Sequence, residues 1–250
     1  MVPTQALRRI VALALPAIAL LLTASAQIDA KNWGQNTSGV TLVFHEEPRQ
    51  KSPQGTILMY NLIGKGFPVD VAFTLWQWKP ENEPKAIMQG VSFDKRGVLV
   101  CSGRPGFCKG NGPDDPINIQ ATASLGEAKR MAVVSPDGKI AGFAEAIPFP
   151  IEASNRSCRL SVVRMGGSSD AVTVRLAGFT ANEQITLRTL TDREESAVDK
   201  SADQQGNWTG VVKLPSKGQS KASISVTPVT GQNCKVAVSF DWGPGSNHPQ

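Results

Sequence analysis

The sequence contains only two histidines and one tyrosine among its 250 residues. Histidine is the side chain whose charge changes nearest neutral pH, and it is the commonest metal ligand. With His45 at a strand end and His248 in the polar tail "GPGSNHPQ", little material exists for a general base or a metal centre. A zinc protease needs two histidines four apart with a glutamate between them. His45-Glu46-Glu47 supplies one histidine and reads as a solvated strand end. "GGSSD" (Gly166–Asp170) lacks the G-x-S-x-G nucleophile pattern and falls where a hairpin loop belongs. Ser135 and Lys139 are separated by a turn sequence, "SPDGK". Asp114-Asp115 follows a glycine-rich loop, yet calcium wants six to eight oxygens, and no such set can be named here. No phosphate loop or dinucleotide fingerprint is present. We therefore assign no catalytic residue, no metal ligand and no cofactor, and expect a protein that is not an enzyme.

Long apolar runs are missing after residue 26. Before it, Arg8 and Arg9 precede the apolar stretch Ile10–Leu22, which is broken by Pro16. A spanning helix needs about 20 apolar residues, so this run is too short. Ala24 and Ala26 then form the small-x-small pattern of a cleavage site. These features predict a signal peptide over residues 1–26, cleaved after Ala26, and a chain that is secreted, periplasmic or extracellular. No integral membrane segment is expected after cleavage. Charge of one sign is also in short supply. Residues 27–155 carry 13 Lys/Arg and 13 Asp/Glu, and residues 156–250 carry 11 and 8. Neither half offers the clustered cations of a nucleic-acid footprint.

Four cysteines in an exported chain point to disulfides, and four cysteines allow three pairings. Cys101 and Cys108 flank the short loop "SGRPGF", whose glycines and proline suit a tight reversal. Cys158 and Cys234 open two predicted strands at opposite ends of the second half. The expected bonds are Cys101–Cys108 and Cys158–Cys234.

What the sequence has in abundance is alternation of period two. "VTLVF" (Val40–Phe44), "TILMYNLI" (Thr56–Ile63) and "VDVAFTLWQW" (Val69–Trp78) are bounded by Gly, Pro, Asn and Asp, as strands are. No long stretch after residue 26 has helical periodicity. The second half repeats the first. "CRLSVVRM" (Cys158–Met165) matches Val40–Phe44, "AVTVRLAGF" (Ala171–Phe179) matches Ile57–Phe67, and "EQITLRTL" (Glu183–Leu190) matches "VAFTLWQW". Asp94…Gly97 then lies opposite Asp203…Gly206, a turn in which Asp bonds the backbone two residues on and Gly completes the reversal. "ASISVTPV" (Ala222–Val229) is matched with Ile117–Ser124, and "VAVSFDWG" (Val236–Gly243) with Met131–Gly138.

In strand order, and in "GFTANEQITL" and "ADQQGNWTGVVKLP", the second copy resembles the bacterial Ig-like and fibronectin-type-III-like repeats of exported proteins. The first copy resembles them through "GFPVDVAFTL" and "FDKRGVLV". The resemblance covers most of residues 40–243 and implies extracellular scaffolding, adhesion or recognition; it brings no catalytic residue with it. The fold expected is all-β, with two tandem Ig-like antiparallel β-sandwich domains after the cleaved signal peptide. The divisions are a flexible arm at 27–39, sandwiches at 40–145 and 157–243, a linker at 146–156 stiffened by Pro148 and Pro150, and a polar tail at 244–250.

One feature exceeds what the fold requires. Val71, Phe73 and Leu75 share one strand face, which leaves Trp76 and Trp78 together on the other, expected to be wet. Their counterparts in the second copy are Arg188 and Leu190. Exposed neighbouring tryptophans stack on sugar rings or anchor a partner chain. Trp76 and Trp78 are thus the candidate binding residues for a protein or glycan ligand. Packing on the second domain or on the Cys101–Cys108 loop is the competing structural explanation. Trp208 is expected in the core and Trp33 in the flexible arm. The N-x-Ser/Thr triplets at Asn36, Asn155 and Asn207 matter only in a glycosylating host. The alternative to a non-enzymatic binder is an exported enzyme or enzyme inhibitor that presents the constrained Cys101–Cys108 loop.

Overall fold

The computed structural model describes residues 33–52, 55–79, 82–101, 115–121, 125–165, 170–192, 194–214, 220–229 and 234–242. Regular structure among them is entirely strand, and no helix is long and apolar enough to cross a membrane. The first half supplies β1 (Thr41–Glu46), β2 (Gln50–Ser52), β3 (Gly55–Lys65), β4 (Phe73–Trp78) and β5 (Lys85–Phe93), then β6 (Leu99–Cys101), β7 (Ile119–Ala121), β8 (Lys129–Val134) and β9 (Ala141–Ala146). One of its sheets is built around β3, which pairs with β1, β2 and β7; the other has the order β6-β5-β4-β8-β9. The second half supplies β10 (Ile151–Asn155), β11 (Cys158–Arg164), β12 (Ala171–Ala177) and β13 (Gln184–Thr191), then β14 (Glu195–Ser201), β15 (Trp208–Lys213), β16 (Ser220–Pro228) and β17 (Val236–Trp242). Its sheets run β10-β11-β12-β15 and β14-β13-β16-β17. Every ladder is antiparallel. Both halves are Ig-like sandwiches.

Alternation explains the layering, because successive strand side chains point to opposite faces. In β17, Val236, Val238, Phe240 and Trp242 are buried while the residues between them are exposed. They meet Leu160, Val174, Ile185 and Ile224 in a mostly aliphatic core. The first core is more aromatic: Phe67 stacks on Phe93 at 4.2 Å between ring centroids and meets Phe73 edge-on at 5.4 Å. The Cys158–Cys234 disulfide joins the start of β11 to the residue two before β17, tying one sheet of the second sandwich to the other.

The two aspartate turns are hydrogen-bonded alike. Asp94 Oδ1 accepts from the Arg96 and Val98 N–H groups at 2.9 and 2.8 Å. Asp203 Oδ1 accepts from Gln205 and Asn207 at 2.9 and 2.8 Å. Gly97 and Gly206 have φ of 81° and 75°, a region costly for side chains with a Cβ. A Cβ at Gly206 would lie 2.0 Å from the Phe179 carbonyl oxygen, and one at Gly97 would lie 2.4 Å from that of Gly64.

Four expectations need correction. First, Ile151–Asn155 is a strand and not part of a linker, because Ile151 is buried in the second core and pairs with Val162. Second, residues 33–39 are not a free arm. Thr37 donates its N–H to the Ala141 carbonyl at 2.9 Å, and Asn36 Oδ1 accepts from the Phe143 N–H at 2.7 Å. Third, the strand matching slips after the aspartate turn. β16 lies between β13 and β17 as β8 lies between β4 and β9, so Ala222–Val229 corresponds to the β8 region and not to Ile117–Ser124. Ile119–Ala121 instead pairs with β3. By the same logic β17 corresponds to β9. Period-two alternation marks a strand without saying which sheet it joins, which is why the match failed. Fourth, Trp76 is not on a wet face, because neighbouring aromatic and aliphatic side chains cover it.

The halves also touch. Between β7 and β8, Gly126 N–H donates to the Phe149 carbonyl at 2.6 Å, and its own carbonyl accepts from the Arg164 N–H at 2.8 Å. The Arg164 guanidinium lies over the Trp242 ring at 5.3 Å, donates to the Asp241 carbonyl, and is pushed below its ordinary pKa chiefly by burial.

Candidate functional site

The strands β4, β8 and β9 fix the candidate surface by register. Trp78 lies opposite Arg130, which lies opposite Glu145; two residues along, Trp76 lies opposite Ala132, which lies opposite Phe143. These side chains share the outer face of the sheet, because Phe73, Leu75, Met131 and Val133 fill the inner one. Trp76 is 9% exposed and packs with Ala132, Val134, Ala86, Ala141 and Phe143. Trp33 closes over this cluster, 5.3 Å from Trp78 and edge-on to Phe143 at 5.2 Å between centroids. The two predicted binding residues are therefore adjacent, but they differ in environment: Trp76 is buried and Trp78 is half-buried.

Trp78 is held from three sides. Its Nε1–H donates to the Asn82 carbonyl at 2.9 Å, Trp33 leans on one side, and the Arg130 guanidinium sits 5.4 Å from the ring centroid. Guanidinium over an indole is a favourable cation–π geometry. Arg130 Nε donates to Glu145 Oε2 at 2.8 Å, and Arg175 Nη2, from the second sandwich, donates to Glu145 Oε1 at 2.8 Å. The result is a strip of alternating character: indole, guanidinium, carboxylate, guanidinium. Trp76 Nε1 and Arg130 Nη1 are buried donors without a hydrogen-bond partner among the described residues. Such groups are uncommon, because leaving a buried donor unsatisfied costs about 1–3 kcal/mol.

Trp33, Glu145 and Arg175 carry no sequence signal that marks them as site residues. Phase alone could have found Phe143 and Arg130, which sit on strands whose inward residues are recognisable. Nothing in "KNWGQNTSG" identifies Trp33 as a cover.

The remaining sequence candidates find ordinary structural places. His45 is exposed on β1 opposite Asn61, and His248 lies outside the described residues. Ser135 Oγ donates to Asp137 Oδ1 at 2.7 Å and accepts from the Ile140 N–H at 3.0 Å, so the hydroxyl is consumed by its turn. That bond, and the Lys139 N–H, hold the Asp137 carboxyl below the usual range. Asp115 is exposed, and Asp114 lies outside the described residues. Cys101 is buried at the end of β6; Cys108, its expected disulfide partner, lies outside the described residues. Among the described residues no cluster of His, Cys, Asp and Glu could hold a metal ion. Trp208 is half-buried at the margin of the second core.

No protein-family model and no curated protein matches the sequence. Among solved structures, the chain is similar to a tetra-tandem repeat in the extending region of a large adhesion protein, at 9% identity and a TM-score of 0.27. That alignment covers 83% of this chain and 50% of the other, so the chain spans half the length of that neighbour. It is also similar to the chicken interferon gamma receptor alpha chain, at 10% identity and a TM-score of 0.25, covering 80% and 96% of the two chains. A serine-rich repeat protein from Streptococcus agalactiae aligns at 8% identity and a TM-score of 0.26, covering 86% and 95%.

Proposed function

We propose that this is an exported, non-enzymatic binding module of the cell exterior, and that the strip centred on Trp78 is its recognition surface for a protein or glycan. Export rests on the predicted signal peptide over residues 1–26, and the Cys158–Cys234 disulfide is in keeping with an oxidising compartment.

The observation that carries the reading is the contrast between equivalent outer faces. In the second sandwich the counterpart strand β13 presents Arg188 and Leu190, both exposed and with no aromatic cover among the described residues. The first sandwich gathers Trp33, Trp76, Trp78 and Phe143 at the same place and edges them with Arg130 and Glu145. A fold that is stable without the aromatic cluster in one copy does not need it in the other. Rigid aromatic area beside charged donors is a composition common at the centres of recognition sites. Trp78 supplies the reachable ring, and Trp76 underlies it as packing.

The test compares Trp78→Ala with Arg188→Ala in the full exported chain, on glycan arrays and in pull-downs from the host surface. The reading expects binding to fall with Trp78→Ala and to persist with Arg188→Ala. Unchanged profiles for Trp78→Ala, in a protein whose melting curve is otherwise intact, would remove the strip from consideration.

A further inference from the structure

The second sandwich has a groove of about 880 Å³ between β14 and β15, the free edges of its two sheets. Leu187, Val198, Val212 and the half-exposed Trp208 give it apolar walls, with Thr189 on its floor. The Trp208 ring lies along its own strand over Gly210, where a Cβ would come within 2.4 Å of it.

The groove exists because a hairpin has opened. In the first sandwich the chain leaves β5, makes the Asp94–Gly97 turn, and returns as β6 paired with β5, Phe93 opposite Leu99 and Val91 opposite Cys101. In the second sandwich the chain leaves β14 and makes the same turn at Asp203–Gly206. The returning strand β15 pairs instead with β12, Leu176 opposite Trp208 and Ala171 opposite Lys213. The edge of β14 that corresponds to the covered edge of β5 has no strand against it among the described residues. The first sandwich covers both edges on this side with two short strands, β6 and β7; among the described residues the second has one strand for the two places.

We propose that the β14–β15 groove binds an extended segment of another polypeptide, added as a strand antiparallel to β14. The first sandwich shows the form such an occupant takes: β6, whose Leu99, Val100 and Cys101 are all buried. The occupant's charges follow from those of the groove. Lys200 stands near the turn end, beside Trp208, while Asp170 and Glu194 stand at the far end with Lys213. A strand antiparallel to β14 enters at the turn end. It therefore carries an acidic residue first, then alternating apolar residues, and a basic residue last. Inward-facing Lys200 keeps the edge from pairing with any apolar strand, and an acidic residue on the ligand lifts that restriction. Main-chain pairing supplies affinity and alternate pockets supply selectivity in this mode of recognition.

The experiment titrates isotope-labelled full chain with the synthetic peptide acetyl-Asp-Gly-Val-Leu-Val-Ser-Lys-amide, which carries the Gly97–Val100 sequence between an acid and a base. The proposal expects amide shifts confined to β14 and β15, a shift of the Trp208 indole N–H, and affinity about fivefold weaker when the terminal Asp and Lys are exchanged, the size of about 1 kcal/mol from rim ion pairs. Lys200→Glu, at a partly exposed position, makes both ends of the groove acidic and abolishes that preference while leaving the rest of the spectrum in place. Absence of shifts at millimolar peptide, shifts elsewhere, indifference to charge order, or displacement of the same resonances by an oligosaccharide or by self-association in place of the peptide would each overturn it.

Discussion

The two sandwiches share a turn but send the chain to different sheets after it. Asp94 and Asp203 each accept two backbone N–H groups at matching distances, and Gly97 and Gly206 each need a positive φ. Yet the strand after the first turn folds back on β5, and the strand after the second crosses to β12. Local chemistry therefore fixes the reversal but not the sheet that receives the next strand. The receiving sheet is decided by what else competes for it. In the first copy β7 pairs with β3 at Leu58–Tyr60, and the strand after the turn touches β3 only at the Ile63–Val98 bridge before it pairs with β5. In the second copy no other described strand covers β12 on that side, and β15 takes it. A longer stretch between turn and β8 thus gives the first sandwich both strands.

The largest difference to exploit is covalent. Cys158→Ser with Cys234→Ser removes a bridge spanning 76 residues, and loops of that length are worth about 2–5 kcal/mol. Calorimetry is expected to show the second sandwich melting earlier while the first keeps its transition. Loss of both together would mean that the junction at Gly126 and Arg164 couples them into one cooperative unit.

Next come the shared turns. Gly206→Ala and Gly97→Ala each force a Cβ onto a carbonyl oxygen, at 2.0 and 2.4 Å respectively, in a backbone region costing about 1–3 kcal/mol. Denaturant melts are expected to show each substitution lowering its own sandwich, Gly206→Ala the more. Smaller is the effect of Asp94→Ala or Asp203→Ala, about 1–2 kcal/mol for the lost backbone bonds. For Asp94, burial alone would raise the carboxyl pKa, but the Val98 and Arg96 hydrogen bonds outweigh it and hold it below the ordinary value. Its contribution is present above the unfolded pKa and fades as pH falls through the folded one. The Asp94→Ala variant is therefore expected to lose this part of its acid sensitivity.

The smallest effect separates the halves by pH. The single tyrosine, Tyr60, lies in the first sandwich and is pushed up to about 12, first by burial and then by the Glu46 carboxylate, which accepts a hydrogen bond from its hydroxyl. A folded pKa raised above the unfolded value gives stability that is whole below about pH 10 and is lost as pH rises toward about 12. Between those pH values the first sandwich is expected to lose melting temperature that Tyr60→Phe retains. The second sandwich, lacking tyrosine, gives no such difference between the two proteins.

Much of this fold was legible because alternation and turn chemistry are local signals. Phe73 and Leu75 pointed inward as their phase required, and Cys158–Cys234 followed from two strand starts at opposite ends of one half. Strand assignment failed where it depended on competition between distant edges, at Ile117–Ser124. The candidate site was half legible. Phase placed Trp76 and Trp78 on one outer face, but the cover came from Trp33, which is far from Trp76 in sequence and carries no periodic signal. The Glu145–Arg175 ion pair depends on how two domains meet, which no strand pattern encodes.

The strand exchange after the repeated turn is the claim on which the groove and the comparison rest, and cross-strand nuclear Overhauser effects test it directly. The account predicts contacts across β12 and β15, between Val174 and Gly210 and between Leu176 and Trp208, alongside contacts across β5 and β6 between Val91 and Cys101. Contacts joining Lys200 to Gly210 and Ser201 to Thr209 would show a closed hairpin in the second sandwich as well, and would contradict it.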